Sequence, residues 1–266
     1  MIKIRNDFDL DNTITCGQIF RFKKENNEYI VILKDRVISL KIDNDYVIIE
    51  SNKEDNLKEV IYDYLDLNRD YNKIVDELNK KDKNLKCNRG LKMIHQYPLE
   101  TVIEYVISQN NRVPSIANSL NLLSEKYGEK VIFKDKEYYL FPSLDKLKKL
   151  SIEDFRNCKV GFRDKYLYEI VNSNIDLDKI NKMNTYEALD YLKSYKGIGL
   201  KVASCILLFA YQKFDVFPID TWVKKYMKDE YNIEGENNIK IFSKEKYGEY
   251  SALAIQYMFN SKRNTK

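Results

Sequence analysis

Apolar residues in the first third of the chain alternate, which is the period of half-buried strands. Tyr29, Val31 and Leu33 set one phase. After the polar Lys34-Asp35-Arg36 it resumes at Ile38, Leu40 and Ile42, and after Asp43-Asn44-Asp45 at Tyr46 and Ile48. The pattern predicts an antiparallel meander with polar turns. Its apolar face needs a cover, and Leu57, Val60, Ile61, Tyr64 and Leu65, spaced i, i+3, i+4, i+7 and i+8, predict a helix that supplies one. The Lys- and Asn-rich stretch from Asn79 to Asn88 marks a boundary. From residue 91 onward the pattern is helical. Pro98 opens a helix through Leu99, Val102, Ile103, Val106 and Ile107, which stops at the polar Gln109-Asn110-Asn111-Arg112. A second runs from Pro114 through Ile116, Leu120 and Leu123. Shorter segments open at Phe141-Pro142-Ser143 and run from Asp164 to Val171. The expected fold class is α+β: an antiparallel sheet domain with a helix over residues 1–90, then a mainly helical domain over 91–266.

Composition narrows the class without naming a function. At ~150 residues per domain, 266 residues make about two domains. A hydrophobic fraction of 44% with 32% charged residues is that of a globular protein, and 45 basic against 41 acidic residues, net +4, do not by themselves require a nucleic-acid partner. The longest apolar run, Ala203 to Tyr211 with Ser204 inside it, is short of the ~20 residues that cross a bilayer. The N-terminal Met-Ile-Lys-Ile-Arg-Asn-Asp lacks the apolar core of a signal peptide. A cytoplasmic chain with no membrane partner is expected. Cys16, Cys87, Cys158 and Cys205 contain no C-x-x-C pair, so no metal site is expected and free thiols are. The single histidine, His95, is expected to be structural or close to a phosphate.

The chemistry concentrates between Asn184 and Val223. Asn184 with Glu187 three residues on starts a helix whose face is Tyr186, Leu189 and Leu192. Lys196-Gly197-Ile198-Gly199-Leu200-Lys201 follows, and then an almost wholly apolar helix through Val202, Ala203, Ile206, Leu207, Phe209 and Ala210. This is a helix-hairpin-helix pattern. Gly197 and Gly199 can take positive φ and expose backbone N–H groups at a helix start, where a DNA phosphate fits. The third glycine of a dinucleotide fingerprint is missing, because Val202 stands there. Lys201 opens the apolar helix, where the helix's positive end and partial desolvation both favour the free, nucleophilic amine. Two readings of it stay open: a nucleophile, or a snorkelling lysine that touches phosphate. Asp220, in Phe217-Pro218-Ile219-Asp220-Thr221-Trp222, is a carboxylate partner for that amine, a helix N-cap, or both.

At these residues the chain resembles the 8-oxoguanine DNA glycosylase/AP lyases of the helix-hairpin-helix (HhH-GPD) superfamily. The Lys201-to-Asp220 separation matches the family's catalytic pair. Thr15-Cys16-Gly17-Gln18-Ile19-Phe20-Arg21-Phe22 is similar to its S-G-Q-x-F-R-W element, and Gln96-Tyr97-Pro98-Leu99-Glu100 through Ser108-Gln109-Asn110-Asn111 to its Q-D-P-x-E helix and asparagine-rich wedge. Phe141-Pro142-Ser143-Leu144 and Val160-Gly161-Phe162-Arg163 have counterparts as well. The resemblance implies a TATA-binding-protein-like sheet domain and a two-part helical glycosylase core acting as a monomer on damaged double-stranded DNA, without cofactor or metal. The lesion base would be flipped out. Lys201 would attack C1′ and form a Schiff base that permits β-elimination, and Asp220 would stabilise the oxocarbenium-like charge.

The resemblance also assigns recognition. Gly17 matches the position whose carbonyl accepts N7–H of 8-oxoguanine. Cys205 and Phe259 match the residues on the two faces of the base. Asn110 matches the wedge, with Gln109 and Asn111 beside it, and Phe162 and Arg163 lie by the orphaned cytosine. The family's Watson–Crick-edge glutamine falls at Ile255; Gln256, one position on, is the base-recognition candidate if the local helix presents it, and otherwise edge recognition is weaker. Trp222 stands where animal enzymes carry a phosphate-contacting histidine, and Pro114 and Ser115 where an arginine discriminates the opposite base, which implies relaxed opposite-base specificity. Two alternatives remain: the same fold acting on an alkylated purine or oxidised pyrimidine, and a non-catalytic DNA-binding protein.

Overall fold

The computed structural model describes residues 1–85, 87 and 89–263, with side chains through Asn260. In chain order the elements are β1 (Ile2–Arg5), α1 (Leu10–Thr15), β2 (Phe22–Glu25), β3 (Glu28–Ile32), β4 (Val37–Asp43), β5 (Tyr46–Ser51), α2 (Leu57–Tyr64) and α3 (Tyr71–Lys81). Then come α4 (Pro98–Ile107), α5 (Val113–Tyr127), β6 (Lys130–Phe133), β7 (Lys136–Tyr139), α6 (Leu144–Leu147), α7 (Ile152–Arg156), α8 (Asp164–Asn172) and α9 (Thr185–Lys193). The chain ends with α10 (Leu200–Tyr211), α11 (Thr221–Tyr231), α12 (Glu236–Tyr247) and α13 (Ser251–Arg263). This is the expected α+β order of an antiparallel sheet followed by a helical body.

The sheet is antiparallel with order β1-β5-β4-β3-β2. Cross-strand partners share a face, so Tyr29 and Val31 on β3, Ile38 and Leu40 on β4, Val47 and Ile49 on β5 and Ile4 on β1 form one apolar layer. Leu57, Ile61, Tyr64 and Leu65 cover it, as their helical spacing predicts. On β5 the alternation predicts the wrong face. The Asn44-Asp45 turn pairs Asp43 with Tyr46, which puts Tyr46 in solvent and Val47 and Ile49 in the core; a slip of one residue exchanges the faces of a strand. The sheet's other face is not left to water either. Ile30 and Val37 pack on Phe133, Tyr138 and Leu140 of the β6–β7 hairpin, which the helical periodicity of that region does not foretell.

The larger core is built round α10, whose residues 202–210 are all buried and which packs on α4 and α9. Cys16, Phe20 and the α3 residues Tyr71, Ile74, Val75 and Leu78 belong to this core too. No helix among the described residues is long and apolar enough to cross a membrane.

His95 ties the two layers together. Its Nδ1 lies 3.0 Å from Asp63 Oδ1 at the end of α2, and its Nε2 lies 3.1 Å from the carbonyl of Ala210 on α10. The Asp63 contact raises the imidazole pKa against the opposing effect of burial. A group whose folded pKa is raised stabilises fully below its unfolded value, ~6.5 for histidine, and that contribution is lost as pH rises through the folded value. The melting temperature difference between wild type and His95→Gln is therefore expected to be largest near pH 6 and to shrink toward pH 9; a difference that does not vary with pH would contradict the Asp63 contact.

Candidate active site

The Asn184 capping box forms: its side chain accepts from Glu187 N–H at 3.0 Å, and Glu187 Oε2 accepts from Asn184 N–H at 3.0 Å. Helix α9 thus enters the hairpin on a fixed start. Gly197 has φ +90°, as expected, and a Cβ there would meet Tyr166 at 2.7 Å. Gly199 does not have positive φ. It is the N-cap of α10 at φ −84°, ψ 176°, extended backbone open to any residue, and a Cβ on it would meet nothing within 4 Å. Its bare backbone leaves open space before the first turn of α10.

Lys201 stands in that first turn, half-buried, with Nζ 5.6 Å from the centre of the Tyr105 ring. One turn on, Cys205 is buried beside the amine; burial pushes its thiol pKa up to about 11, with Lys201 acting against the rise. Asp220 caps α11, its Oδ1 accepting from Val223 N–H at 2.8 Å. No direct ion pair joins Lys201 to Asp220, yet both line one cleft of about 720 Å³. The cleft is also lined by Ser108 to Asn111, Gly199, Thr221, Lys224 and Glu236.

Gln109, Asn110 and Asn111 divide into one exposed and two anchored residues. Asn110 is exposed at φ +46°. Gln109 Nε2 donates to the Gly197 carbonyl at 2.9 Å, and Asn111 Nδ2 to the Ile107 carbonyl at 3.1 Å. Arg163 is buried behind them, with Nε donating to the Gln109 carbonyl at 2.9 Å and Nη2 to Asn110 O at 3.1 Å. Its guanidinium lies 4.4 Å from the centre of the Phe162 ring, which is 59% exposed.

Gly17, Cys205, Gln256 and Phe259 lie outside the cleft lining. Gly17 has φ +91° and follows α1. Its neighbour Gln18 is buried; Nε2 donates to the Lys92 carbonyl at 2.7 Å and Oε1 accepts from Ile94 N–H at 2.8 Å, while Gln96 Nε2 donates to Gln18 O at 2.8 Å. Gln256, not Ile255, approaches this loop. Its Nε2 is 3.3 Å from Cys16 Sγ, whereas Ile255 sits in the apolar core. Phe259 packs edge-on to Trp222 at 5.1 Å, and Trp222 stacks on Tyr226 at 5.5 Å. Sequence reasoning missed Tyr105, Lys224 and Glu236. For Tyr105 the signal was its position four residues before Gln109, on the helix face that leads to the cleft.

A glycine hairpin feeding directly into a buried helix, behind an antiparallel sheet domain, is the architecture of helix-hairpin-helix DNA glycosylases. The family model "8-oxoguanine DNA glycosylase, N-terminal domain" matches residues 1–102. The 8-oxoguanine glycosylase/lyase of Clostridium acetobutylicum, solved with double-stranded DNA containing cytosine opposite 8-oxoguanine, superposes with a TM-score of 0.92 at 38% identity, covering 98% of this chain and 93% of that one. N-glycosylase/DNA lyase OGG1 of Arabidopsis thaliana is 27% identical over 281 residues, 95% of this chain and 77% of its own. A probable N-glycosylase/DNA lyase of Methanothermobacter thermautotrophicus is 28% identical over 214 residues, 70% of this chain and 69% of its own. This chain belongs to the 8-oxoguanine DNA glycosylase family.

The two hairpin glycines should respond differently to a methyl group. Gly197→Ala combines positive φ with the Tyr166 collision and is expected to lower the unfolding free energy by roughly 1–3 kcal/mol, Gly199→Ala by under about 1 kcal/mol. Urea denaturation of the two variants measures this, and equal losses would remove the close approach to Tyr166 as the reason for glycine at 197.

Proposed function

We propose that the protein excises 8-oxoguanine from double-stranded DNA and then cuts the strand, with Lys201 as nucleophile and Asp220 as the fixed countercharge. What supports the reading most is Lys201 itself: an amine in the first turn of a buried helix, facing the same cleft as the carboxylate that caps the next one. It acts as a monomer in the cytoplasm, at the nucleoid.

The duplex is bent and the lesion nucleotide extruded, because C1′ is out of reach in a stacked base. Asn110 at the exposed apex fills the gap, while Gln109, Asn111 and Arg163 hold that apex from behind and Phe162 faces the orphaned base. Gly17 offers its carbonyl to N7–H of the flipped base. Ordinary guanine has a lone pair there and is repelled. Cys205, a neutral thiol by virtue of its burial, and Phe259, braced by Trp222, flank the ring. Gln256 holds the recognition loop through Cys16.

Lys201 Nζ bonds to C1′ as the bond from C1′ to N9 breaks; the electron pair leaves with the base, which takes up a proton, and the amine loses one. Opening of the sugar gives the imine. Loss of a proton from C2′ then expels the 3′ phosphate with the electrons of its bond to C3′, and water releases Lys201. Asp220 stabilises the cationic sugar in the first step.

Borohydride is expected to trap the wild type on an 8-oxoguanine duplex and to give no adduct with Lys201→Gln; an adduct of undiminished yield in that variant would refute the imine at Lys201. Asp220→Asn separates charge from cap, since asparagine caps helices equally well. It should keep the melting temperature and lose roughly 10²- to 10³-fold in base release, whereas Asp220→Ala also loses about 1 kcal/mol of stability.

Opposite-base choice is relaxed, because Pro114 and Ser115 supply no guanidinium and Arg163 is engaged with the wedge carbonyls. A bidentate base contact discriminates by about 1–3 kcal/mol. Without one, single-turnover rates with C, A, G or T opposite the lesion should agree within roughly tenfold, and a larger preference for C would overturn this.

A further inference from the structure

Four charged side chains line the cleft: Lys201, Asp220, Lys224 and Glu236. The chemistry above uses two of them. The remaining two meet each other, with Lys224 Nζ 2.6 Å from Glu236 Oε1. Lys224 is one turn beyond Asp220 on α11, and Glu236 is the first residue of α12, directly after Gly235 at φ +85°. Both side chains are about half exposed. Water screens such a pair and leaves it little stabilising effect, so holding α11 to α12 does not account for its place in the cleft lining.

A nucleotide presented to Lys201 carries a phosphodiester on each side of its sugar. On one wall the backbone of Gly199 opens onto the cleft; on the other, Lys224 is the cation left once Lys201 is committed to C1′. We propose that Lys224 binds a backbone phosphate of the lesion strand and that Glu236 occupies its ammonium in the free protein until that phosphate displaces the carboxylate. The inference rests on the glycosylase reading above. Glu236 acts as an internal stand-in for phosphate. An exposed ion pair is cheap to open, and once displaced the carboxylate is repelled by the phosphodiester and turns to solvent. The exchange makes DNA affinity more salt-sensitive through Lys224 and weaker through Glu236.

The test is fluorescence anisotropy of a labelled duplex carrying a tetrahydrofuran abasic analogue, across a sodium chloride series, with wild type, Lys224→Gln, Glu236→Gln and the double variant. Losing one phosphate contact should make the slope of log affinity against log salt shallower by about 0.9 in Lys224→Gln. Glu236→Gln should tighten binding by up to about fivefold, and that gain should vanish when Lys224 is also replaced. An unchanged slope in Lys224→Gln overturns the proposal, as does a Glu236→Gln gain that persists without Lys224, which would be a general charge effect. Equal losses of melting temperature in both single variants, with unaltered slopes, would reassign the pair to a structural tie and overturn it too. Borohydride trapping by the same wild-type preparation keeps the two readings apart. If the wild type traps and the slopes do not change, only the phosphate exchange fails; a wild type that neither traps nor binds removes the glycosylase reading itself.

Discussion

Helix α10 is the constraint on which the site depends. Nine consecutive residues, Val202 to Ala210, are buried, so the helix can neither rotate nor slide without opening the core on several sides. Lys201 is at its N-terminal end, where the helix emerges from the core. Its stem is held where the helix leaves the core, and its amine comes to rest over Tyr105 and beside Cys205. A nucleophile on a surface helix would explore many rotamers. Lys201, half-buried and proposed as the nucleophile, has less freedom than that to lose on binding substrate, which is how positioning contributes to rate.

The loop around Gly17, proposed above to read the base, is referred to the same helix by a chain of buried hydrogen bonds. Gln18, next to Gly17, is bound by Gln96 and binds Lys92 and Ile94. Gln96 N–H in turn donates to the carbonyl of Phe209 on α10 at 2.7 Å. A second tie runs in parallel: Arg21 Nη1 meets Glu100 Oε1 at 2.8 Å, with the arginine almost wholly buried. The separation between the Gly17 carbonyl and the Lys201 amine, the proposed base reader and nucleophile, is therefore set by the interior of the protein rather than by two independent surface loops. Breaking one link leaves a buried donor or acceptor without a partner, at a cost of about 1–3 kcal/mol.

This explains which parts could be read from sequence. The Cys16–Phe22 and Gln96–Glu100 strings stand out because their polar residues pair with each other across the fold; the residues were visible, but not the pairing between them. The hairpin was legible because glycine at 197 answers a local demand, positive φ against Tyr166. Gly199 differs: it sits in extended backbone with nothing within 4 Å of an added Cβ, so no local demand of the fold singles out glycine there. The phase of β5 failed because a two-residue turn, not the polar run before it, sets which side each residue faces. The β6–β7 hairpin was illegible because its strands are short and its partners, Ile30 and Val37, lie a hundred residues away in the chain.

The proposed wedge divides insertion from support. An asparagine at φ +46° is tolerated where most side chains are strained, so Asn110 can stand out from the end of α4 with its amide unengaged by the loop. The residues on either side point their amides inward, Gln109 to the carbonyl of Gly197 and Asn111 to that of Ile107. The apex is thereby tied to the glycine hairpin on one side and to the helix carrying Tyr105 on the other. Pushing Asn110 into a base stack loads both at once. Because the hairpin continues into α10, resistance to that load comes from the buried core that also holds Lys201, so the proposed wedge and the proposed nucleophile are braced by one and the same core.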